Sequence, residues 1–123
     1  MTYEICNARI QSTFLGIEDH GFLSYFINLQ SGGGTIQGWG GYILGTRKGK
    51  STGLAGDLLL HLLGAIEVDK WEALTGRPCR VLREHRTARA LGNLLEDRWV
   101  WISESGVHTG TEQEARESLG ITQ

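Results

Sequence analysis

Over residues 3–17 apolar and polar side chains alternate roughly, with Cys6, Ala8, Ile10 and Phe14 on one parity, the pattern of a long half-buried strand. Glu18-Asp19-His20-Gly21 then reads as a turn, short polar side chains followed by a glycine. Residues 22–30 are apolar on both parities, as in a strand covered on both faces. Residues 31–34 form a glycine loop, and residues 35–44 a third strand interrupted by Gly38, Gly40 and Gly41, which signals a bulge, a barrel corner or the close approach of another group. Leucines at 54, 58, 59, 62 and 63 mark a buried helical stripe over 54–66, with Ser51 or Thr52 as its cap. A short second helix is expected over 68–74, capped by Asp69. Strand patterning returns at 77–84. A turn is expected near 85–89, and residues 90–102 end in the strand-like Trp99-Val100-Trp101-Ile102.

The order β-β-β-α-β-β is that of the oligonucleotide-binding (OB) barrel, five strands with a helix between the third and fourth. The expectation is an α+β, mostly β protein: an OB-like five-stranded antiparallel barrel, or a curved sheet with one main helix across it. Residues 1–102 would form this domain, and residues 103–123 an acidic C-terminal tail or short helix.

At 123 residues, 40% hydrophobic and 21% charged, the chain has the composition of one globular domain. The net charge of −2 argues against binding phosphates through overall charge. No apolar run is long enough to span a bilayer and the first eight residues hold no basic cluster, so a cytoplasmic protein is expected. Cys6 and Cys79 form no CxxC pair and read as reduced, buried thiols.

Thr13, Leu15-Gly16, Glu18-Asp19-His20-Gly21, Gly33, Gln37-Gly38, Gly40-Gly41-Tyr42 and Leu44 resemble small uncharacterised accessory proteins of bacteriophages and prophages. Val68-Asp69-x-Trp71-Glu72-x-Leu74-x-Gly76 and Arg80-Val81 look like the second half of the same family, so the resemblance covers about residues 10–100. The basic 46–52 and arginine-rich 83–89 segments depart from the pattern. The resemblance implies a phage-borne accessory protein and carries no activity with it.

Several residues invite chemistry, each with a plainer reading beside it. His20 next to Asp19 reads as a ligand contact or general base, and equally as a turn residue. Trp39 and Tyr42 lie among glycines that would let a planar ligand approach, with Gln37 and Trp39 on one face and Tyr42 on the other unless a bulge intervenes; they also suit a bent strand filling its core. Arg47, Lys48 and Lys50 precede a helix and could hold a phosphate, but Gly45 and Gly49 are one residue too close for a P-loop. Arginines at 77, 80, 83, 86 and 89 recur every three residues, so they share no regular face; Arg80 and Arg83 are taken as phosphate contacts against a background of solubilising charge. Asp57 and His61 sit at i, i+4 spacing, yet a third metal ligand (His20, His85 or His108) would have to come from folding, and a solvated ion pair is favoured. Trp99 and Trp101 read as core or interface.

The sequence thus leads to a non-enzymatic phage accessory protein that antagonises a host defence, by sequestering a small nucleotide signal or occluding a host protein. Its ligand-binding residues would be His20, Gln37, Trp39, Tyr42, Arg47, Lys48, Lys50, Arg80 and Arg83. No cofactor, metal or membrane is expected, and a homo-oligomer is. The alternative is a single-stranded nucleic-acid-binding protein of OB type.

Overall fold

The alternation over the first fifteen strand residues becomes β1 (Tyr3–Ile17), which forms a hairpin with β2 (Phe22–Ser31), followed by β3 (Gly34–Thr46). In a computed structural model, residues 3–32 and 34–121 are described, with the backbone alone for 34–37. Gly33 of the expected glycine loop and the Gln37 side chain lie outside the described residues. The leucine stripe forms α1 (Ala55–Ile66), burying Leu58, Leu62, Ala65 and Ile66. Its N-cap is Leu54, without a side-chain cap bond. Thr52 Oγ1 accepts from the Leu54 N–H at 3.4 Å instead of capping the helix itself. The expected second helix shrinks to one 3₁₀ turn at Trp71–Ala73, preceded by Lys70 rather than capped by Asp69, because Leu74 and Gly76 must return the chain to β1.

The next strands are β4 (Pro78–Glu84), β5 (Thr87–Gly92), β6 (Trp99–Ser103) and β7 (Gly106–Gly110), and the short helix α2 (Glu112–Ser118) follows. The sheet order is β3-β2-β1-β4-β5-β6-β7, and β3 also pairs with β5 in parallel through Gly38 and Thr87. That pairing closes β1 to β5 into a five-stranded barrel with OB-type order.

The expected fifth strand over 90–102 is two strands. Asn93 breaks it: its Oδ1 accepts from the N–H groups of Leu95 and Glu96, and its Nδ2 donates to Ala65 O at 2.9 Å. The strand also begins earlier, at Thr87 within the expected turn. The stretch expected as a tail is ordered against the barrel as β7 and α2. A capping box starts α2, with Thr111 and Glu114 each bonding the other's backbone.

Alternation then sorts two cores. Ala8, Ile10, Tyr25, Ile27, Leu29, Trp39, Leu44 and Val81 fill the barrel with α1. Leu82, Ala90, Trp99, Trp101, Ala115 and Ile121 form a second core outside it, beneath α2. Trp99 and Trp101 are therefore core residues. Cys6 and Cys79 are free thiols on the barrel side, Cys79 fully buried.

Candidate functional site

The parallel contact between β3 and β5 is short, and the strands part beyond it. A crevice of about 320 Å3 opens there, lined by Phe26, Gly38, Trp39, Gly40, Tyr42, Thr87, Ala88 and Arg89. The glycines of β3 make this seam. Gly38 and Gly40 take φ of 128° and 133°, a left-handed region that favours glycine. A Cβ at Gly38 would stand 2.6 Å from the Phe26 ring and 2.7 Å from Ile27 O. The glycines thus serve the packing of β2 on β3.

Register shifts along β2 and β3 turn Tyr42 to the same side as Trp39. The Tyr25 ring is T-shaped to Trp39, with centroids 5.5 Å apart, and stacked on Tyr42 at 6.4 Å. Trp39 is only 2% exposed, so the residue expected to stack on a ligand is a core ring touching the crevice floor. Tyr42, at 43%, offers a free face. The Tyr25 hydroxyl is buried without a partner among the described residues, and burial pushes its ionisation well above the ordinary tyrosine range.

The remaining expected residues divide into two groups. His20 lies 80% exposed at the β1–β2 turn, its Nδ1 3.0 Å from Glu18 Oε2 rather than on Asp19. That hydrogen bond holds the Glu18 carboxyl below its usual range, helped by the N–H groups of Phe22 and His20. The Arg47 N–H donates to Gly21 O at 2.9 Å, which brings the loop of exposed Arg47, Lys48 and Lys50 beside the same turn. His20 and the three cations therefore share one end of the barrel.

Arg80 and Arg83 do not reach the crevice, because β4 lies on the far side of β5 from β3. Arg80 lies over the Trp99 ring at 5.1 Å and donates to Asn93 O and Glu96 O, both at 2.8 Å. Arg83 is paired with Glu4. Arg89, which was not singled out from the rest of the arginine series, does line the crevice and bonds Glu84 at 2.8 Å. Arg86 is exposed in the adjoining turn. Phe26 and Arg89 were missed because only the closure of β3 on β5 puts them beside Tyr42.

Asp57 is exposed and His61 half-buried on α1, and no metal-holding group of three His, Cys, Asp or Glu occurs among the described residues. No described helix is long and apolar enough to cross a membrane.

Comparison with protein families, curated proteins and solved structures finds no match for this chain.

Proposed function

We propose that the protein binds a short single-stranded segment of nucleic acid, without transforming it, along the β3–β5 seam, from the β4–β5 turn to the end of β3. The observation that carries this reading is the meeting of Phe26, Tyr42 and Arg89 at the β3–β5 seam. A base has a π face for either ring, and stacking tolerates any sequence. Cations stand beyond both ends: Arg86 at the β4–β5 turn, and Arg47, Lys48 and Lys50 where β3 ends. In OB barrels the face of the second and third strands with the β1–β2 and β4–β5 loops is the usual ligand surface; here Arg86 sits in the β4–β5 turn and the 47–50 loop lies beside the β1–β2 turn. The acidic balance of the whole chain is then compatible with binding, because the cations lie close to the face that needs them.

The resemblance of residues 10–100 to phage accessory proteins carries no activity; a role inside an infected cell, antagonising a host defence, belongs to the same proposal. A protein that sequesters one small nucleotide would draw on the same crevice. Its volume is at the small end for ligand pockets and it opens beside exposed Tyr42, which favours one base of a strand over an enclosed nucleotide.

The test is fluorescence anisotropy with labelled oligonucleotides of about ten residues. Binding is expected to weaken as salt rises, with a log–log slope of about −0.7 per phosphate engaged and roughly −3 as the limit for four cations. Tyr42→Ala and Arg86→Ala should each weaken it. No anisotropy change at low salt overturns the reading. Equal affinity for a mononucleotide and the full oligonucleotide replaces it with sequestration.

A further inference from the structure

The barrel strands are not equally covered. Hydrogen bonds to β4 occupy one edge of β1 from Tyr3 to Arg9, and Ile10 exchanges two further backbone bonds with Gly76 and Arg77. Beyond that point β1 pairs only with β2 among the described residues, up to Ile17. The edge over residues 11–17 is open. Its sequence, Gln-Ser-Thr-Phe-Leu-Gly-Ile, holds no charge and no proline, the devices that usually blunt an open edge. Phe14, Leu15 and Ile17 are exposed on it. The edge of β3 is treated differently: Ser51 bridges Gly45, and Thr52 N–H bonds Leu44 O, so the returning chain covers it.

We infer that this edge pairs with the same edge of a second copy of the chain, antiparallel, to give a two-fold dimer. A two-fold joint is self-complementary, so using the whole edge places the axis at its midpoint, Phe14. Phe14 then faces Phe14 of the second copy, Thr13 faces Leu15, and Ser12 faces Gly16. Aromatic and apolar pairs meet, which is what stabilises cross-strand neighbours.

Charge selects the second copy as occupant. Because β1 carries one extra residue between Ile10 and Ser12, the same register brings the acidic hairpin tip, Glu18 with exposed Asp19 next to it, to the level of Arg9 of the second copy, where β4 and the chain before it end the open edge. Arg9 is held there by its own bond from Nη1 to Gly76 O at 2.6 Å, and exposed Arg77 lies alongside. Each acidic tip therefore meets a pair of arginines, twice per dimer. The inference is independent of the nucleic-acid reading, since it uses neither the crevice nor the 47–50 loop.

Sedimentation velocity over a concentration series tests it. The joint is short, so a dimer with a dissociation constant in about the micromolar range is expected. Phe14→Glu sets two like charges face to face on the axis and should abolish the dimer. Asp19→Arg, at an exposed turn that cannot unfold the barrel, should weaken it several-fold, and adding Arg77→Asp should restore it. Circular dichroism checks that each variant folds. A wild-type protein that stays monomeric throughout overturns the inference. So does a dimer indifferent to Phe14→Glu, or a double reversal that fails to recover association.

Discussion

The indole of Trp99 lies directly across Gly92 on the neighbouring strand. The two are register partners between β5 and β6, and a Cβ on Gly92 would fall 2.5 Å from the ring. The Arg80 guanidinium also lies over the indole, 5.1 Å from its centroid, and crowds the ring further. Gly92→Ala should destabilise the fold by about 2–3 kcal/mol through overpacking. Urea unfolding measures this, and a loss under half a kilocalorie would mean the ring shifts freely.

Trp39 and Tyr42 should separate stability from binding. Trp39 is a core ring, and Trp39→Ala should cost about 3–5 kcal/mol, whatever the ligand. Tyr42→Ala removes an exposed ring and should leave the melting temperature within a few degrees of wild type. If oligonucleotide affinity survives Tyr42→Ala in a folded protein, the crevice is not the binding face.

Asn93 is the one polar residue in the described core, 7% exposed, and it ties α1 to the β5–β6 turn. Asn93→Ala leaves Ala65 O and two turn amides without that partner. A loss of about 3 kcal/mol is expected. Hydrogen exchange should show it locally, as lost protection at the Leu95 and Glu96 amides. Unchanged protection there would place the turn under other control.

Burial pushes the Cys79 thiol up to about 12, with a smaller contribution from Cys6 beside it. The folded state therefore keeps a proton that the unfolded thiol gives up near its ordinary value of about 8.5. Between these values the native state binds more protons, so stability falls as pH rises, by up to about 1.4 kcal/mol per unit. Below the unfolded value the contribution is complete. Unfolding free energies from urea titrations should drop about 2 kcal/mol more between about pH 8 and about pH 10 for wild type than for Cys79→Ala. Equal drops would assign the alkaline loss to other groups.

Patterning in the chain was sufficient for β1 and β2, whose limits match the periodic stretches closely, and for α1, whose leucine stripe is its buried face. Element order narrowed the fold to an OB-like barrel or a curved sheet, and the pairing of β3 with β5 decided for the barrel. The misreadings share a cause. Asn93 looks like any polar residue inside an apolar stretch until Ala65 is placed opposite it. The capping box at Thr111 and Glu114 starts a helix that is too short to stand alone and holds through Ala115, buried against the second core. Both depend on partners distant in sequence.

The candidate site follows the same division. Local periodicity and turn chemistry determined which residues form strands and helix, and pointed to β3 and its glycines as the unusual element. Only tertiary structure decided what those residues do. Bulges between β2 and β3 turned Tyr42 to the side of Trp39, and burial made one a core ring and left the other a free face. Closure of β3 on β5 brought Arg89 to the seam and held Arg80 and Arg83 away from it. Strand periodicity is a property of neighbours along the chain. Register, closure and burial depend on pairings between distant segments, and one extra residue in a bulge reverses every side chain beyond it.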